Sequence, residues 1–154
     1  MTRYELLAML HVLGVIAWVG GGLALLVLHA LAVRAHDYDG LATAVRQSRV
    51  LGACLYGPAS LVTAASGILL VATEDAFDFS DLWVLIGIGA ILLSIPLQVI
   101  VADRARSRYL VLQADKDSDQ ATLRASARSL TFINAADIAL LLIVVWVMYA
   151  KPEV

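Results

Sequence analysis

Long apolar runs separated by short polar stretches form the main pattern of this chain. Four runs, at about residues 6–33, 50–72, 82–102 and 130–150, reach the roughly 20 residues that a membrane-spanning helix requires. A spanning segment has to be helical, because lipid offers the backbone no hydrogen-bond partners and does not tolerate an open sheet edge. The pattern therefore predicts an all-α fold, an integral membrane four-helix up-down bundle that forms a single transmembrane domain over residues 1–154.

Composition supports the same class of protein. Hydrophobic residues make up 61% of the chain, whereas soluble domains contain about 45–50%. Charged residues make up 16% and cluster between the runs. The single cysteine, Cys54, excludes an intramolecular disulfide, and we expect it to be a small buried packing residue because it lies in an apolar run. The first run is longer than the apolar segment of a signal peptide, so we expect it to remain as a helix.

The distribution of positive charge predicts the orientation in the membrane. All Lys and Arg residues except Arg3 and Lys151 lie in or beside the first and third connections, and the second connection carries only acidic charges. Positive residues resist translocation, so we expect the first and third connections in the cytoplasm and both termini outside. This pattern predicts a multi-pass membrane protein whose cytoplasmic arginines contact anionic lipid headgroups of the bilayer. We expect no nucleic acid partner.

The first run carries two histidines on one predicted helix face. His11 and His29 are five full helical turns apart, which corresponds to about 27 Å along the axis. We expect their stripe to face the bundle interior, since ionisable groups rarely face lipid. The members of this stripe are His11, Val15, Trp18, Gly22, Leu25 and His29. Four glycines beside Trp18 are expected to let a neighbouring helix approach closely. These glycines are Gly14, Gly20, Gly21 and Gly22.

The fourth run carries an acid inside the membrane. Its predicted inward stripe consists of Asn134, Asp137, Leu141, Val144 and Met148. Asp137 is the only acid well inside a spanning run, and an unpaired charge there would be costly. We expect Asp137 to pair with His29, which reaches a similar depth. The other candidate partners are Arg49, Gln98, Arg104 and Asn134. A structural pair that fixes helix register is the simpler interpretation, and a proton-relay or substrate role is the alternative.

His11 and Met148 form a candidate cofactor site. Both are expected near the outer surface of the membrane, and an imidazole with a thioether is a plausible ligand set for heme iron or copper(I). A packed, hydrogen-bonded histidine is the simpler interpretation of His11, and no cofactor is established by this pattern.

Prolines predict kinks in two of the helices. Pro58 lies in the second run and Pro96 in the third. A proline removes one backbone hydrogen bond and clashes with the preceding turn. The kinks are most simply packing adjustments. In the alternative interpretation they open a small polar pocket near Gln98, Asp137 and His29.

Three stretches carry a resemblance to a known family. They are LHVLGVIAWVGGGLALL at residues 10–26, GPASLVTAASGILLV at residues 57–71 and VVWVMYAKP at residues 144–152. Over nearly its whole length, the chain resembles a family of small bacterial predicted integral membrane proteins that is grouped as a domain of unknown function. This resemblance implies four spans, a place in the bacterial cytoplasmic (inner) membrane and no established activity.

The first helix also resembles that of more distant membrane proteins, the copper-resistance D type and the HemJ-type protoporphyrinogen oxidase. The similarity lies in a histidine seven residues before a tryptophan and glycines. In the HemJ type this histidine is linked to heme, and a lysine in the third helix is functional. The resemblance implies heme at His11, but residues 82–102 contain no lysine and depart from the HemJ pattern.

These observations leave three functional hypotheses. The sequence has no nucleotide-binding fingerprint, no serine–histidine–aspartate arrangement and no cysteine or histidine cluster, so catalysis would need a bound cofactor. We expect a non-enzymatic accessory, assembly or scaffold subunit that acts as a homo-oligomer or within a larger membrane complex. The first alternative is a heme- or copper-binding redox protein that uses His11. The second is a small transporter or proton pathway through His29 and Asp137.

Overall fold

The chain folds into four long helices. The structure is a computed structural model that describes residues 1–115 and 117–151, and these residues contain no strand. The helices are α1, Arg3–Ala35; α2, Tyr38–Thr73; α3, Leu82–Ala114; and α4, Gln120–Ala150. Each helix is long and apolar enough to cross a membrane and contains one predicted span, so the predicted all-α membrane bundle is confirmed. Lys116 of the third connection and Pro152 lie outside the described residues.

Three of the helices contain a π-helical stretch near their middle. The stretches are Ile16–Gly20 in α1, Gly52–Tyr56 in α2 and Leu97–Ala102 in α3. The last two adjoin Pro58 and Pro96, which cannot donate the backbone hydrogen bond of a regular turn. A π turn holds more residues than an α turn, so it rotates the residues that follow it relative to an unbroken α-helix. The chain therefore accommodates both prolines beside locally widened turns.

Side chains at the helix starts explain where several helices begin. Thr2 and Glu5 form a capping box at α1, in which each side chain accepts a hydrogen bond from the other residue's backbone N–H. Asp37 and Asp119 cap α2 and α4, each accepting a hydrogen bond from the backbone N–H three residues later. Asp81 precedes α3, but its carboxylate accepts from an N–H within the preceding loop instead.

The helices pack as two pairs, α1 with α2 and α3 with α4. The π-helical stretches divide the bundle into two halves. The basic half consists of Gly21–Ala35, Tyr38–Leu51, Asp103–Ala114 and the start of α4; the acidic half consists of Arg3–Val15, Gly57–Thr73, Leu82–Pro96 and the end of α4. The pairs contact each other mainly in the basic half, whereas Gly57–Thr73 and Leu82–Pro96 make little contact in the acidic half. The bundle is thus closed at one end and parted at the other.

A fully enclosed hydrophobic cluster closes the basic half. Its members are Leu41, Ala42, Val45, Tyr109, Ala127 and Leu130, and each is 0% exposed. The Tyr109 hydroxyl donates a hydrogen bond to the Tyr38 carbonyl at 2.8 Å, which satisfies the one polar atom of this side chain. All members except Leu130 lie outside the predicted spans. The helices therefore continue past those spans and build a core at the end of the bundle.

In the acidic half, α1 and α2 approach closely at Gly14. An added Cβ there would meet the Ala59 carbonyl oxygen at 3.1 Å and the Thr63 backbone nitrogen at 3.2 Å. Gly20, by contrast, is exposed, and nothing lies within 4 Å of its added Cβ. The structure therefore corrects the expectation that Gly20 packs against a neighbouring helix. The π-helical stretch that contains Gly20 turns it away from the bundle.

Most apolar side chains of this bundle face outward, as expected for a protein whose solvent is lipid. In its most apolar window, α4 buries 39% of its residues and α1 only 6%. Cys54 is exposed, so the prediction that it is a buried packing residue is wrong. Small apolar groups are as favourable against lipid tails as against other helices, which is why the sequence pattern does not separate the two positions.

Candidate functional site

A cavity lies inside the bundle at the level of the π-helical stretches. Its volume is about 640 Å³, within the range of small-molecule sites. All four helices line it, and Trp18, Tyr56 and Gln98 come from the three π-helical stretches. Such stretches are frequent at functional sites. Widened turns in three helices therefore surround one cavity, which Asp137 and His29 also line.

Asp137 is the central acid of this cavity. Its carboxylate accepts a hydrogen bond from the Ser94 hydroxyl at 2.6 Å and one from the Gln98 amide at 2.9 Å. The side chain is almost enclosed, with only 3% of Asp137 exposed. A buried carboxylate requires such donors, since a charge removed from water without partners is very costly. Asp137 consequently ties α4 to α3 at the wall of the cavity.

Arg106 supplies the matching positive charge. Its Nη2 donates a hydrogen bond to the Gln98 Oε1 at 2.7 Å. The Gln98 amide therefore stands between Asp137 and Arg106, with its N–H towards the acid and its oxygen towards the cation. Arg104, one of the candidate partners of Asp137, is exposed instead. Arg106 is the cavity residue that the sequence interpretation missed.

A regular spacing in α3 is the signal that identifies Arg106. Ser94, Gln98, Ala102 and Arg106 follow one another at intervals of four residues. In an α-helix that interval drifts around the axis, because one turn holds 3.6 residues. The π-helical stretch Leu97–Ala102 widens the turns between Gln98 and Arg106 and keeps them on one side. If the widened turn is taken into account, the four-residue spacing places Arg106, and not Arg104, on the same side of α3 as Ser94 and Gln98.

His29 joins the same site through α4. Its Nδ1 lies 3.2 Å from the Asn134 amide nitrogen. Because the amide nitrogen can only donate, Nδ1 accepts and Nε2 carries the ring proton. Asn134 lies one helical turn before Asp137, so the predicted direct pair of His29 with Asp137 is replaced by two separate links on α4. His29 is 1% exposed, and its Nε2 has no hydrogen-bond partner among the described residues.

Two donors at this site have no partner. Among the described residues, the buried side-chain nitrogen and oxygen atoms that lack a hydrogen bond are His29 Nε2 and Arg106 Nε. Both residues line the cavity. Buried polar atoms in native structures are nearly always paired, and an exception calls for a water or ligand that completes it. The unsatisfied buried groups of the described residues therefore lie at the cavity that Asp137 and Gln98 also line.

Arg49 closes the basic side of the cavity between α2 and α3. Its Nε donates to the Asp103 carboxylate at 3.0 Å and its Nη2 donates to the Ser107 hydroxyl at 2.6 Å. Arg49 was a candidate partner of Asp137, and the structure pairs it with Asp103 instead. The pair is partly exposed, with 41% and 47% of the two side chains accessible. It therefore contributes little stability but fixes the spacing of the two helices.

Two of the glycines beside Trp18 contact neighbouring helices, Gly21 contacting α2 and Gly22 contacting α4. Gly21 lies against Tyr56, whose hydroxyl donates to the Gly21 carbonyl at 3.1 Å. Gly22 lies against Ile138, and both residues line the cavity with Trp18. The predicted inward stripe of α1 thus reaches the cavity from Trp18 onward.

His11 and Met148 have different neighbours. The His11 Nδ1 donates to the Thr63 carbonyl at 2.9 Å, and its ring packs over Gly67 of α2. Met148 packs over Gly87 of α3. The structure therefore assigns the two predicted ligands to separate helix pairs, because His11 contacts α2 and Met148 contacts α3. Residues 1–115 and 117–151 contain no group of three or more His, Cys, Asp and Glu side chains that could hold a metal ion.

A family comparison agrees with this architecture. The family model described as predicted integral membrane protein, DUF2269, matches residues 5–152, and the chain belongs to this family. The expected resemblance to small integral membrane proteins of unknown function is thereby confirmed. No curated protein matches the chain, and no solved structure matches it. The resemblance of the first helix to the copper-resistance D and HemJ types stays a prediction.

Proposed function

We propose that this DUF2269 protein is a non-enzymatic binding protein of the carrier type, which holds the polar end of a small membrane-soluble molecule in its cavity. The observation that supports this most directly is that the unpartnered donors, His29 Nε2 and Arg106 Nε, belong to residues lining that cavity. A buried donor without a partner costs about 1–3 kcal/mol. A ligand that accepts both hydrogen bonds removes this cost and is stabilised in return.

The convergence of polar groups favours this role over a docking subunit. An accessory, assembly or scaffold role was the first expectation because polar chemistry is scarce in the sequence. Those few polar side chains come together from α1, α3 and α4 around one cavity, through the links of Asp137, Gln98, Arg106 and His29. A subunit that only docks other helices needs no such site. Of the hypotheses drawn from the sequence, a transporter or proton pathway through His29 and Asp137 is the most similar to this proposal, because both residues line the cavity.

A matched pair of glycine variants tests the proposal. Gly52 lines the cavity and Gly20 faces outward, and neither has an atom within 4 Å of its added Cβ. Gly52→Phe fills the cavity, whereas Gly20→Phe adds the same side chain to the outside. We expect native mass spectrometry of protein purified from its own membranes to detect a retained small molecule on the wild type and on Gly20→Phe. Gly52→Phe should lose it.

Two results would contradict the proposal. One is a wild-type protein that retains no molecule beyond detergent. The other is retention that is equal in Gly52→Phe and the wild type. Circular dichroism of both variants separates the loss of a binding site from the loss of the fold, since each change lies within a helix.

A second candidate function is heme binding at His11. The supporting observation is the His11 Nδ1–H bond to the Thr63 carbonyl, which leaves Nε2 as the nitrogen with the free lone pair. Histidine ligands of metals commonly have such an outer hydrogen bond. The test is an absorption spectrum of oxidised and reduced protein expressed with ample heme. A Soret band that disappears in His11→Ala supports this candidate, and a flat spectrum removes it.

We also propose that the protein lies in the bacterial cytoplasmic membrane with its basic half inside. The support is the distribution of Lys and Arg, which favours both termini outside. Alkaline phosphatase fused to the C-terminus should be active and green fluorescent protein at the same position dark. The reverse pattern would overturn this orientation.

A further inference from the structure

The cavity reaches the lipid through a gap between α2 and α3. Leu61 of α2 and Ile95 and Val99 of α3 line the cavity. These side chains are also 68%, 43% and 67% exposed, so they face the bilayer at the same time. The gap exists because Gly57–Thr73 and Leu82–Pro96 make little contact with each other. It is bounded on the basic side by the Arg49–Asp103 pair.

The fully buried side-chain atoms of the cavity that lack a partner are both donors among the described residues. Arg106 Nε can only donate, and His29 Nε2 carries the ring proton because Nδ1 accepts from Asn134. The two carboxylates of the cavity already have partners: Asp137 receives two hydrogen bonds and Asp103 pairs with Arg49. A ligand that completes the site therefore presents oxygen acceptors and negative charge to Arg106.

Asp137 does not oppose an anion at this position. The Gln98 amide stands between the carboxylate of Asp137 and the guanidinium of Arg106. The negative charge of Asp137 is also held by the Ser94 hydroxyl on its other side. An anion at the free edge of Arg106 consequently meets the cation first, in the charge-assisted geometry that arginine makes with phosphate or carboxylate.

We propose that the ligand is a membrane lipid with an anionic headgroup, whose phosphate binds at Arg106 and whose acyl chain leaves through the gap between α2 and α3. This inference rests on the proposed binding function and specifies its ligand class. A lipid fits better than a free anion because the cavity that holds Arg106 also opens at an apolar gap, lined by Leu61, Ile95 and Val99, towards the bilayer. A free anion would need no such gap.

Fluorescence of Trp18 provides the test, since this side chain lines the cavity. Trp83→Phe and Trp146→Phe leave Trp18 as the single tryptophan. The protein is reconstituted in phosphatidylcholine vesicles that contain phosphatidylglycerol or phosphatidylcholine brominated on the acyl chain. We expect brominated phosphatidylglycerol to quench Trp18 at about tenfold lower mole fraction than brominated phosphatidylcholine, since a charge-assisted contact is at stake. Equal quenching by both lipids would overturn the proposal.

Two arginine variants assign the effect to the site. Arg106→Gln should abolish the preference for phosphatidylglycerol, whereas Arg104→Gln removes the same charge from an exposed position and should keep it. Arg106→Lys, which keeps the charge, guards against a folding defect and should retain part of the preference. Loss of preference in Arg104→Gln as well would mean general surface attraction and would overturn the site.

A water-soluble competitor separates a lipid from a free anion. Inorganic phosphate at millimolar concentration should not relieve the quenching by brominated phosphatidylglycerol. Relief of the quenching would mean that the site takes a free anion and would contradict the acyl-chain part of the proposal. If Gly52→Phe loses a retained molecule but Trp18 has no headgroup preference, the binding function stands and the lipid inference fails.

Discussion

The two halves of the bundle differ in how closely their four helices pack. In the basic half, side chains such as Leu41, Val45 and Tyr109 are 0% exposed and close the four helices against one another. In the acidic half, residues such as Leu61, Leu92 and Trp146 are 68%, 70% and 66% exposed, and contact is limited mainly to helices of the same pair. The first half resembles the core of a soluble protein, and the second depends on lipid to cover it.

The contrast explains how a small bundle can hold a cavity. Apolar side chains gain nothing by leaving lipid for another helix, so the acidic half can stay parted without penalty. The basic half lies at the end of the bundle, where burial from water stabilises it. The cavity lies between the two, at the level of the π-helical stretches. The closed end thus holds the four helices together, and the parted end leaves the cavity open towards the lipid.

The largest predicted loss of stability comes from removing a large buried side chain from the basic half. Tyr109→Ala should lower the free energy of unfolding by about 3–5 kcal/mol, because it leaves a cavity and removes the hydroxyl that bonds the Tyr38 carbonyl. Trp146→Ala is the matched change in the parted half and should cost far less. Reversible unfolding in mixed micelles with increasing dodecyl sulfate measures both. Equal losses would remove the distinction between the halves.

The next effect comes from the acid at the boundary of the two halves. Asp137→Ala should lower stability by about 3 kcal/mol, since it leaves the Ser94 and Gln98 donors unpaired. Asp137→Asn keeps an acceptor oxygen and should lose less. The same micelle titration ranks the two variants. Equal losses in the two variants would mean that the charge, and not its hydrogen bonds, maintains the site.

A smaller effect is expected within one helix pair. Gly14→Leu should cost about 1–3 kcal/mol, because the added side chain meets the backbone of Ala59 and Thr63. Gly20→Leu should be nearly neutral, since open space surrounds the added Cβ. Crosslinking between cysteines placed in α1 and α2 reports the separation of the pair. An unchanged crosslinking yield in Gly14→Leu would contradict the close approach.

The smallest effect concerns the loop that joins the pairs. Hydrogen bonds from the Ser80 hydroxyl and backbone N–H lower the pKa of the exposed Asp78 below its ordinary value. The folded loop therefore favours the ionised carboxyl, so this contribution is present at neutral pH and is lost as the pH falls through the lowered pKa. Carbon NMR of labelled aspartate should find the titration moved upward in Ser80→Ala. An unchanged midpoint would mean that the hydroxyl does not hold the charge.

Much of the fold was predictable, but its closed end was not. Runs of apolar residues identify spans because lipid dictates both their composition and their helical structure. Tyr109 and Leu41 lie beyond those runs among charged residues, so their burial depends on the meeting of four helix ends. Cys54 illustrates the opposite problem, since an apolar run looks the same whether it faces lipid or protein.

The sequence predicts which residues form the site better than it predicts the hydrogen bonds between them. Asp137 and His29 stand out because titratable groups inside a span are costly. Their actual partners, Gln98 with Arg106 and Asn134, depend on small rotations at the π-helical stretches. Those rotations follow from the packing of several helices and leave no mark in the pattern of apolar residues.

The turn after α2 determines how far the two pairs can separate. The Lys151 ammonium lies 4.7 Å from the centre of the Phe77 ring, which fastens this part of the loop to the end of α4. Only the residues from Thr73 to Phe77 then tether α2 to the other pair, and a fully extended tether of this length reaches about 14 Å. At present the tether is folded, with the Phe77 N–H donating to the Glu74 carbonyl at 3.2 Å. Breaking this hydrogen bond would let the segment extend, and the two helix pairs could then move further apart.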